Sequence, residues 1–324
     1  MEKELNWAII GTGVIANEMA QALQKTDKTL YGVANRTQTK AIDFAKKYGV
    51  KKVYDEIDDV FDDENVDIIY LATSHNTHYQ FMKKALEHGK HLFVEKSITL
   101  NSRELDEMIA LAKEKNLILA EAMTIWHMPI YKELWKIVQS GELGKMQIMT
   151  VNFGSFKEYD MNNRFFNMNL AGGALLDIGV YATSFARTFL SEIPNTILTT
   201  VEYLETGADE QSGIIMKNTK GEIVVMCLTL RAKQPKRGVV TGDKGYIEVY
   251  EYPRACKATI TNTETGEVEI VEAGKTEDAL KYEVEAMEAA VGGEYSDDNP
   301  EITRDTMKIL TSVKTQWGMK YPFE

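Results

Sequence analysis

Cysteine is almost missing from this chain: Cys227 and Cys256 are the only two in 324 residues. So few thiols exclude a disulfide framework and a four-thiolate metal site. Positive charge is in deficit, with 37 Lys and Arg against 49 Asp and Glu, a formal balance of −12. An acidic chain lacks the general attraction to phosphate backbones and anionic lipid that basic proteins use, so neither nucleic acid nor a membrane is an expected partner. Long apolar runs are also missing, and none approaches the ~20 residues of a membrane helix. The N-terminus, Met1-Glu-Lys-Glu-Leu-Asn6, has no apolar region to act as a secretion signal. These absences point to a soluble, cytoplasmic protein. What is present is an ordinary globular balance, 44% hydrophobic and 27% charged, at a length that suggests about two domains.

Over residues 1–122 short apolar runs alternate with helical patterns. Strands are expected at 5–10, 30–34, 67–72, 91–94 and 117–120, and helices at 14–25, 41–48, 78–88 and 103–115. Near-continuous apolar strands separated by helices indicate a parallel sheet covered on both faces, that is, an α/β, doubly wound Rossmann-type domain. Beyond Trp126 the pattern changes. A helix is expected at 129–140, a long strand at 146–156 and a helix at 175–189, followed by strands from 197 to 270 joined by short turns. Such a succession suggests an α+β domain, 123–324, with a largely antiparallel open sheet. Two helical patterns, 277–291 and 303–317, close the chain, and these C-terminal helices could pack back on the first domain.

The strongest local signal is Gly11-Thr12-Gly13-Val14-Ile15-Ala16, a G-x-G-x-x-A variant that follows a strand and opens a helix. Gly11 permits the tight turn, Gly13 lets the backbone approach a pyrophosphate, and Ala16 lets the helix sit close to the strand. The helix N-terminus then faces the anionic ligand. About 20 residues on, where an acidic side chain would bond a ribose 2′-hydroxyl, stand Asn35 and Arg36. Asn35 carries no charge to repel a 2′-phosphate and Arg36 can pair with one or stack on adenine, which favours NADP over NAD. A solvated arginine in a turn is the bland alternative.

These residues resemble the Gfo/Idh/MocA family of NAD(P)-dependent oxidoreductases, named for glucose-fructose oxidoreductase and inositol dehydrogenase. The likeness covers essentially the whole chain. It rests on the loop Gly11–Ala16, on Ala72-Thr-Ser-His-Asn-Thr-His78, on Glu87-His-Gly-Lys-His-Leu-Phe-Val-Glu-Lys96, and on Glu121-Ala-Met-Thr-Ile-Trp126. It continues in Gly172-Gly-Ala-Leu-Leu-Asp-Ile-Gly-Val-Tyr181 and Tyr282-Glu283. The Asp177 and Tyr181 pattern is most similar to the dimeric dihydrodiol dehydrogenase-like branch. Two departures stand out: Ser97 follows Lys96 where the family has Pro, and Ala171 replaces the first of three glycines. The first loses a rigid turn beside Lys96. The second is expected to be mild, since Ala is barred only from the positive-φ conformations open to Gly.

Nicotinamide chemistry on an alcohol needs a hydride moved at C4 and a proton moved at the substrate oxygen. Lys96 follows a strand end, where open α/β sheets bind ligands. The resemblance implies that it lies beside the nicotinamide ribose and the substrate oxygen, where its charge can stabilise an alkoxide or lower the pKa of a nearby phenol. A surface lysine pairing with Glu95 is the structural alternative. Asp177 and Tyr181 are four apart and would share a face of a regular helix. By resemblance Tyr181 is the proton donor and acceptor and Asp177 orients it or the substrate; the alternative is a packed tyrosine and an aspartate stabilising the helix start. Thr73, Asn76 and His78 contact the cofactor by resemblance or cap the next helix, with Asn76 the candidate N-cap. Glu95, Met123 and Trp126 are expected on the nicotinamide side. Arg164 could contact an oxygen-rich substrate or form a structural salt bridge.

The two H-x-x-H pairs, His75/His78 and His88/His91, could suggest zinc. The second straddles Gly89 at a turn and no third ligand lies nearby, so no metal is expected. The expected activity is an NAD(P)-dependent dehydrogenase or reductase acting on a sugar, cyclic polyol or trans-dihydrodiol. A non-catalytic dinucleotide-sensing protein, or a reductase of a non-sugar substrate, would use the same scaffold. The family commonly pairs its open sheets, which implies a homodimer or homotetramer.

Overall fold

The protein is described by a computed structural model covering residues 4–294 and 300–324. The chain divides into two compact units. One comprises the residues up to Thr99, Arg103–Met123 and a segment beginning at Glu277; the other comprises Leu100–Ser102, Thr124–Thr276 and the segment from Pro300.

The first unit begins β1 (Asn6–Ile10), α1 (Val14–Lys25), β2 (Thr29–Ala34), α2 (Gln38–Tyr48), β3 (Lys52–Val53) and α3 (Asp59–Asp62). It continues β4 (Ile68–Leu71), α4 (His75–Glu87), β5 (His91–Glu95), α5 (Ser102–Lys115) and β6 (Leu119–Ala122). Its six strands run β3-β2-β1-β4-β5-β6 and every pairing is parallel. All of β4, and all but the first residue of β1 and β5, are buried. That is the signature of strands covered on both faces. α1 buries Ala16, Met19, Ala20 and Leu23, one stripe at helical spacing. Strand order reverses between β1 and β4, which places a ligand crevice at their C-terminal ends. Two elements escape the sequence pattern: β3, two residues long, and α3, four residues long, are too short to show a period. α4 begins three residues earlier than expected, at His75.

The second unit contains α6 (Thr124–His127), α7 (Pro129–Ser140), β7 (Met146–Gly154), α8 (Val180–Phe189), β8 (Thr196–Tyr203), β9 (Asp209–Lys217) and β10 (Ile223–Thr229). Then follow β11 (Gln234–Gly242), β12 (Gly245–Tyr250), β13 (Lys257–Asn262) and β14 (Val268–Glu272). The sheet runs β14-β13-β12-β11-β7-β10-β9-β8 and is antiparallel except where β7 and β10 run parallel. α8 packs on β7 and β11, while Leu198 on β8 and Ile215 on β9 are exposed. Two helices close the chain. α9 (Ala279–Val291) belongs to the first unit and α10 (Pro300–Gln316) to the second. Trp7 Nε1 donates to Glu288 Oε1 at 2.8 Å and Lys28 pairs with the same carboxylate, fastening α9 beside β1 and α1. Among the described residues no helix is long and apolar enough to cross a membrane.

Candidate active site

In the first unit the loop after β1 is shaped by its glycines. Gly11 has φ +106, and a Cβ there would stand 2.3 Å from the Ala72 carbonyl oxygen at the end of β4, so only Gly fits the crossing. Gly13 occupies the N-cap position of α1 without a side-chain cap, and nothing lies within 4 Å of where its Cβ would be. Val14 beside it is 81% exposed. An uncapped helix N-terminus with open space before it leaves amide donors available to a phosphate, so the residues present fit a dinucleotide. Thr12 and Ile15 flank the opening, half-buried.

At the end of β2 the Asn35 amide donates to the Thr37 carbonyl at 3.0 Å and Arg36 is exposed. After β4, Thr73 Oγ1 lies 2.7 Å from Thr77 Oγ1. Ser74, not Asn76, holds the N-cap position of α4, which corrects the capping expectation; Asn76 sits one residue inside the helix. Its Oδ1 is buried with no hydrogen-bond partner. A buried amide oxygen left unpaired costs about 1–3 kcal/mol, which a ligand donor would recover.

Lys96 follows β5, half-buried, and its peptide bond to Ser97 is cis. The turn it opens is strapped in place. His75 Nε2 lies 3.0 Å from the Lys96 carbonyl oxygen, His78 Nδ1 lies 3.1 Å from that of Ser97, and the Ile98 N–H donates to Glu121 Oε1 at 2.9 Å. His78 Nε2 faces the Thr73 carbonyl at 3.2 Å, and the ring has no exposed surface, so it holds backbone together and offers no face to a cofactor. Burial pushes its pKa down, against the pull of those carbonyls. Glu95 is buried and accepts from the Tyr70 hydroxyl. Burial, with Glu95 close by, raises Glu121 to about 8. Met123 has no exposed surface. His88 caps α4 by contact with Lys84 O, and His91 Nδ1 accepts from Ile118 N–H. Among the described residues no group of three or more metal-ligating side chains gathers.

In the second unit Trp126 is half-buried and its indole N–H has no partner. Asp177 does not sit on a regular helix. Leu175–Gly179 form a π-turn that runs into α8, so the shared face drawn for 3.6 residues per turn does not carry over unchanged. Asp177 is buried, whereas Tyr181 is half-buried with its ring centroid 6.0 Å from that of Phe153 on β7. Arg164 and Asp177 are brought together at 3.4 Å. Ala171 adopts φ +56. The replacement of glycine there is therefore not mild, because a left-handed alanine is disfavoured by about 1–2 kcal/mol. Two carboxylates were not singled out from the sequence, Glu121 and Asp209. A lone acid in the apolar run Leu119-Ala-Glu-Ala122 is a signal for the first; the second touches a segment 34 residues away and has no local signal.

Residues 5–123 match the oxidoreductase family with the NAD-binding Rossmann fold, and residues 131–248 match the GFO/IDH/MocA C-terminal domain. The trans-1,2-dihydrobenzene-1,2-diol dehydrogenase of Xenopus laevis is 30% identical over 260 residues, 79% of this chain and 78% of its own. That of Mus musculus is 28% identical over 251 residues, 76% and 74%. Among solved structures, KijD10, a 3-ketoreductase from Actinomadura kijaniata with NADP and TDP-benzene, superposes with a TM-score of 0.87 at 19% identity over 97% of this chain and 98% of that one. Levoglucosan dehydrogenase with NADH and levoglucosan gives 0.87 at 17% identity over 99% and 100%. With both its domains matched, the chain belongs to the Gfo/Idh/MocA family of NAD(P)-binding oxidoreductases.

Proposed function

We propose that this oxidoreductase prefers NADP and acts at a hydroxyl or carbonyl carbon of a trans-dihydrodiol, a sugar or a cyclic polyol. The observation that carries the reading is the open, uncapped N-terminus of α1 behind Gly11 and Gly13, joined to the orphaned Asn76 amide at the neighbouring strand end. The dihydrodiol dehydrogenases and the levoglucosan dehydrogenase named above supply the substrate classes.

When bound, the nicotinamide supplies hydride transfer at C4. Residues Gly11 to Ile15 hold the pyrophosphate, and Asn35 and Arg36 meet the 2′-phosphate. Thr73, Asn76, Glu95 and Trp126 are assigned to the rest of the cofactor by the motifs they share with the family; Met123, which like His78 has no exposed surface, is not. Lys96 stabilises negative charge on the substrate oxygen, Tyr181 gives or takes the proton there, and Asp177 with Arg164 orients the substrate hydroxyls. The exposed Leu198 and Ile215 favour a homodimer or homotetramer formed through the open sheet face. The protein is assigned to the cytoplasm.

The test is a fluorescence titration with NADPH and NADH, followed by NADP reduction with trans-1,2-dihydrobenzene-1,2-diol, levoglucosan and myo-inositol, one from each substrate class. Tighter NADPH binding and turnover of any of the three support the reading. Preferential NADH binding removes the NADP assignment, and no turnover across diols, sugars and polyols removes the substrate assignment. Light scattering at micromolar protein checks the oligomer, which a monomeric mass would refute.

A further inference from the structure

Asp209 is the first residue of β9 and has no exposed surface. It reaches across 34 residues of sequence to the turn that carries Asp177: its Oδ2 accepts the Leu175 N–H at 2.6 Å, while its buried Oδ1 has no hydrogen-bond partner. Gly173, at φ +130, comes so close that a Cβ there would stand 1.9 Å from Asp209 Oδ1. On the preceding residue, the Tyr321 hydroxyl donates to the Gly172 carbonyl at 3.2 Å. The segment Gly172–Leu175 is thus gripped at the Leu175 N–H by one side chain and at the Gly172 carbonyl by another.

Helix starts are ordinarily capped by a neighbouring Ser, Thr or Asn, which costs little. A fully buried carboxylate from a different element is an expensive substitute unless it does something a neutral group cannot. The turn it grips presents Asp177 two residues after Leu175 and leads directly into the helix of Tyr181. We infer that Asp209 is a positioning residue for the substrate half of the active site: its carboxylate fixes the Gly173–Leu175 turn and, through it, sets where Asp177 and Tyr181 present their side chains. The inference rests on the roles proposed for those two residues. Burial raises the Asp209 carboxyl to about 7 against the backbone N–H groups that pull it down; the titratable groups facing it are the phenols of Tyr203 from β8 and Tyr321 after α10. The grip is therefore strongest above neutrality, where the carboxylate is ionised.

The experiment compares D209N and D209A with the wild-type enzyme by two measurements. The first is amide hydrogen exchange over residues 172–181 at pH 8. The second is NADP reduction from pH 6 to 9 with whichever of the three substrates named above the wild-type enzyme turns over. D209A is expected to exchange the Leu175 amide at least tenfold faster and to lose at least tenfold in kcat, while KM for NADP stays within twofold. D209N, a neutral acceptor of the same shape, should recover only part of both and should lose the activity change near pH 7. Unchanged exchange, unchanged kcat, or an equal loss in KM for NADP would overturn the inference. Should D209A not fold, D209N is read alone by its exchange and pH profile. If the wild-type enzyme turns over none of the three, the substrate assignment falls while the exchange comparison still decides the grip.

Discussion

Arg164 holds its guanidinium 3.4 Å from the Asp177 carboxylate, the arginine side chain 52% exposed and the aspartate 9%. The guanidinium also lies 4.1 Å from the centroid of the Phe165 ring. A half-exposed pair of this kind contributes about 0–1 kcal/mol to stability. R164A is accordingly expected to leave the urea midpoint nearly unchanged, raise KM for the substrate several-fold and leave NADPH affinity alone. A large drop in the midpoint with an unaltered KM would assign the pair to the fold.

Lys96 and Tyr181 are the proposed carriers of charge and proton at the substrate oxygen. K96M and Y181F should each lower kcat at least tenfold, a loss of about 1.4 kcal/mol of transition-state stabilisation. NADPH titration should be unaffected in Y181F. Turnover near the wild-type rate in both variants would remove the assignment.

Asn35 stands at the end of β2 with Arg36 exposed beside it. N35D introduces a carboxylate that would repel a 2′-phosphate and accept from a ribose hydroxyl. Its NADPH dissociation constant should rise about tenfold while that for NADH falls or holds. Equal shifts for both cofactors would show that position 35 does not read the 2′ substituent.

Ala171 occupies a left-handed conformation at φ +56. A171G relieves that strain, offset in part by the greater freedom of glycine in the unfolded chain, for a net gain of about 0.5–1 kcal/mol. Urea unfolding measures it, and a lower midpoint in the variant would contradict the assigned conformation.

Glu121 is raised to about 8 by burial, from an ordinary value of 4.5. The folded protein therefore binds a proton that the unfolded chain has released between those values, and stability falls as pH rises from about 5 to 8. E121Q keeps an acceptor for the Ile98 N–H and removes the charge, so its Tm should decline less over that range than that of the wild type. Parallel curves for the two proteins would mean that Glu121 does not titrate there.

The parallel sheet was legible because strands buried on both faces read as apolar runs, as in Ile68–Leu71, and the Gly11–Ala16 loop because each small residue answers a steric demand. Lys52–Val53 was not, since two residues show no period. The π-turn at Leu175–Gly179 was hidden because its pattern is also that of an α-helix. The conformation of Ala171 depends on how residues 168–173 fold back, which composition does not reveal. Asp209 reads as an ordinary turn residue before a strand, and its importance lies wholly in a contact distant in sequence. His78 carries a family motif, yet its ring is fully buried with a backbone carbonyl beside each nitrogen, one of which the neutral imidazole can donate to.

The first unit is closed by α9, whose Glu288 meets both Trp7 and Lys28. Trp7 and Glu288 are 281 residues apart in sequence. During synthesis the strands β1 to β6 emerge early, but Glu288 on the helix that meets Trp7 emerges only 281 residues after it. Until then Trp7 and the surface of α1 that α9 contacts lack their cover, and a fragment ending before Ala279 would keep them uncovered. The minimal expressible dinucleotide half is therefore a discontinuous one, and a circular permutant that joins α9 directly ahead of β1 would be the form of it able to fold on its own.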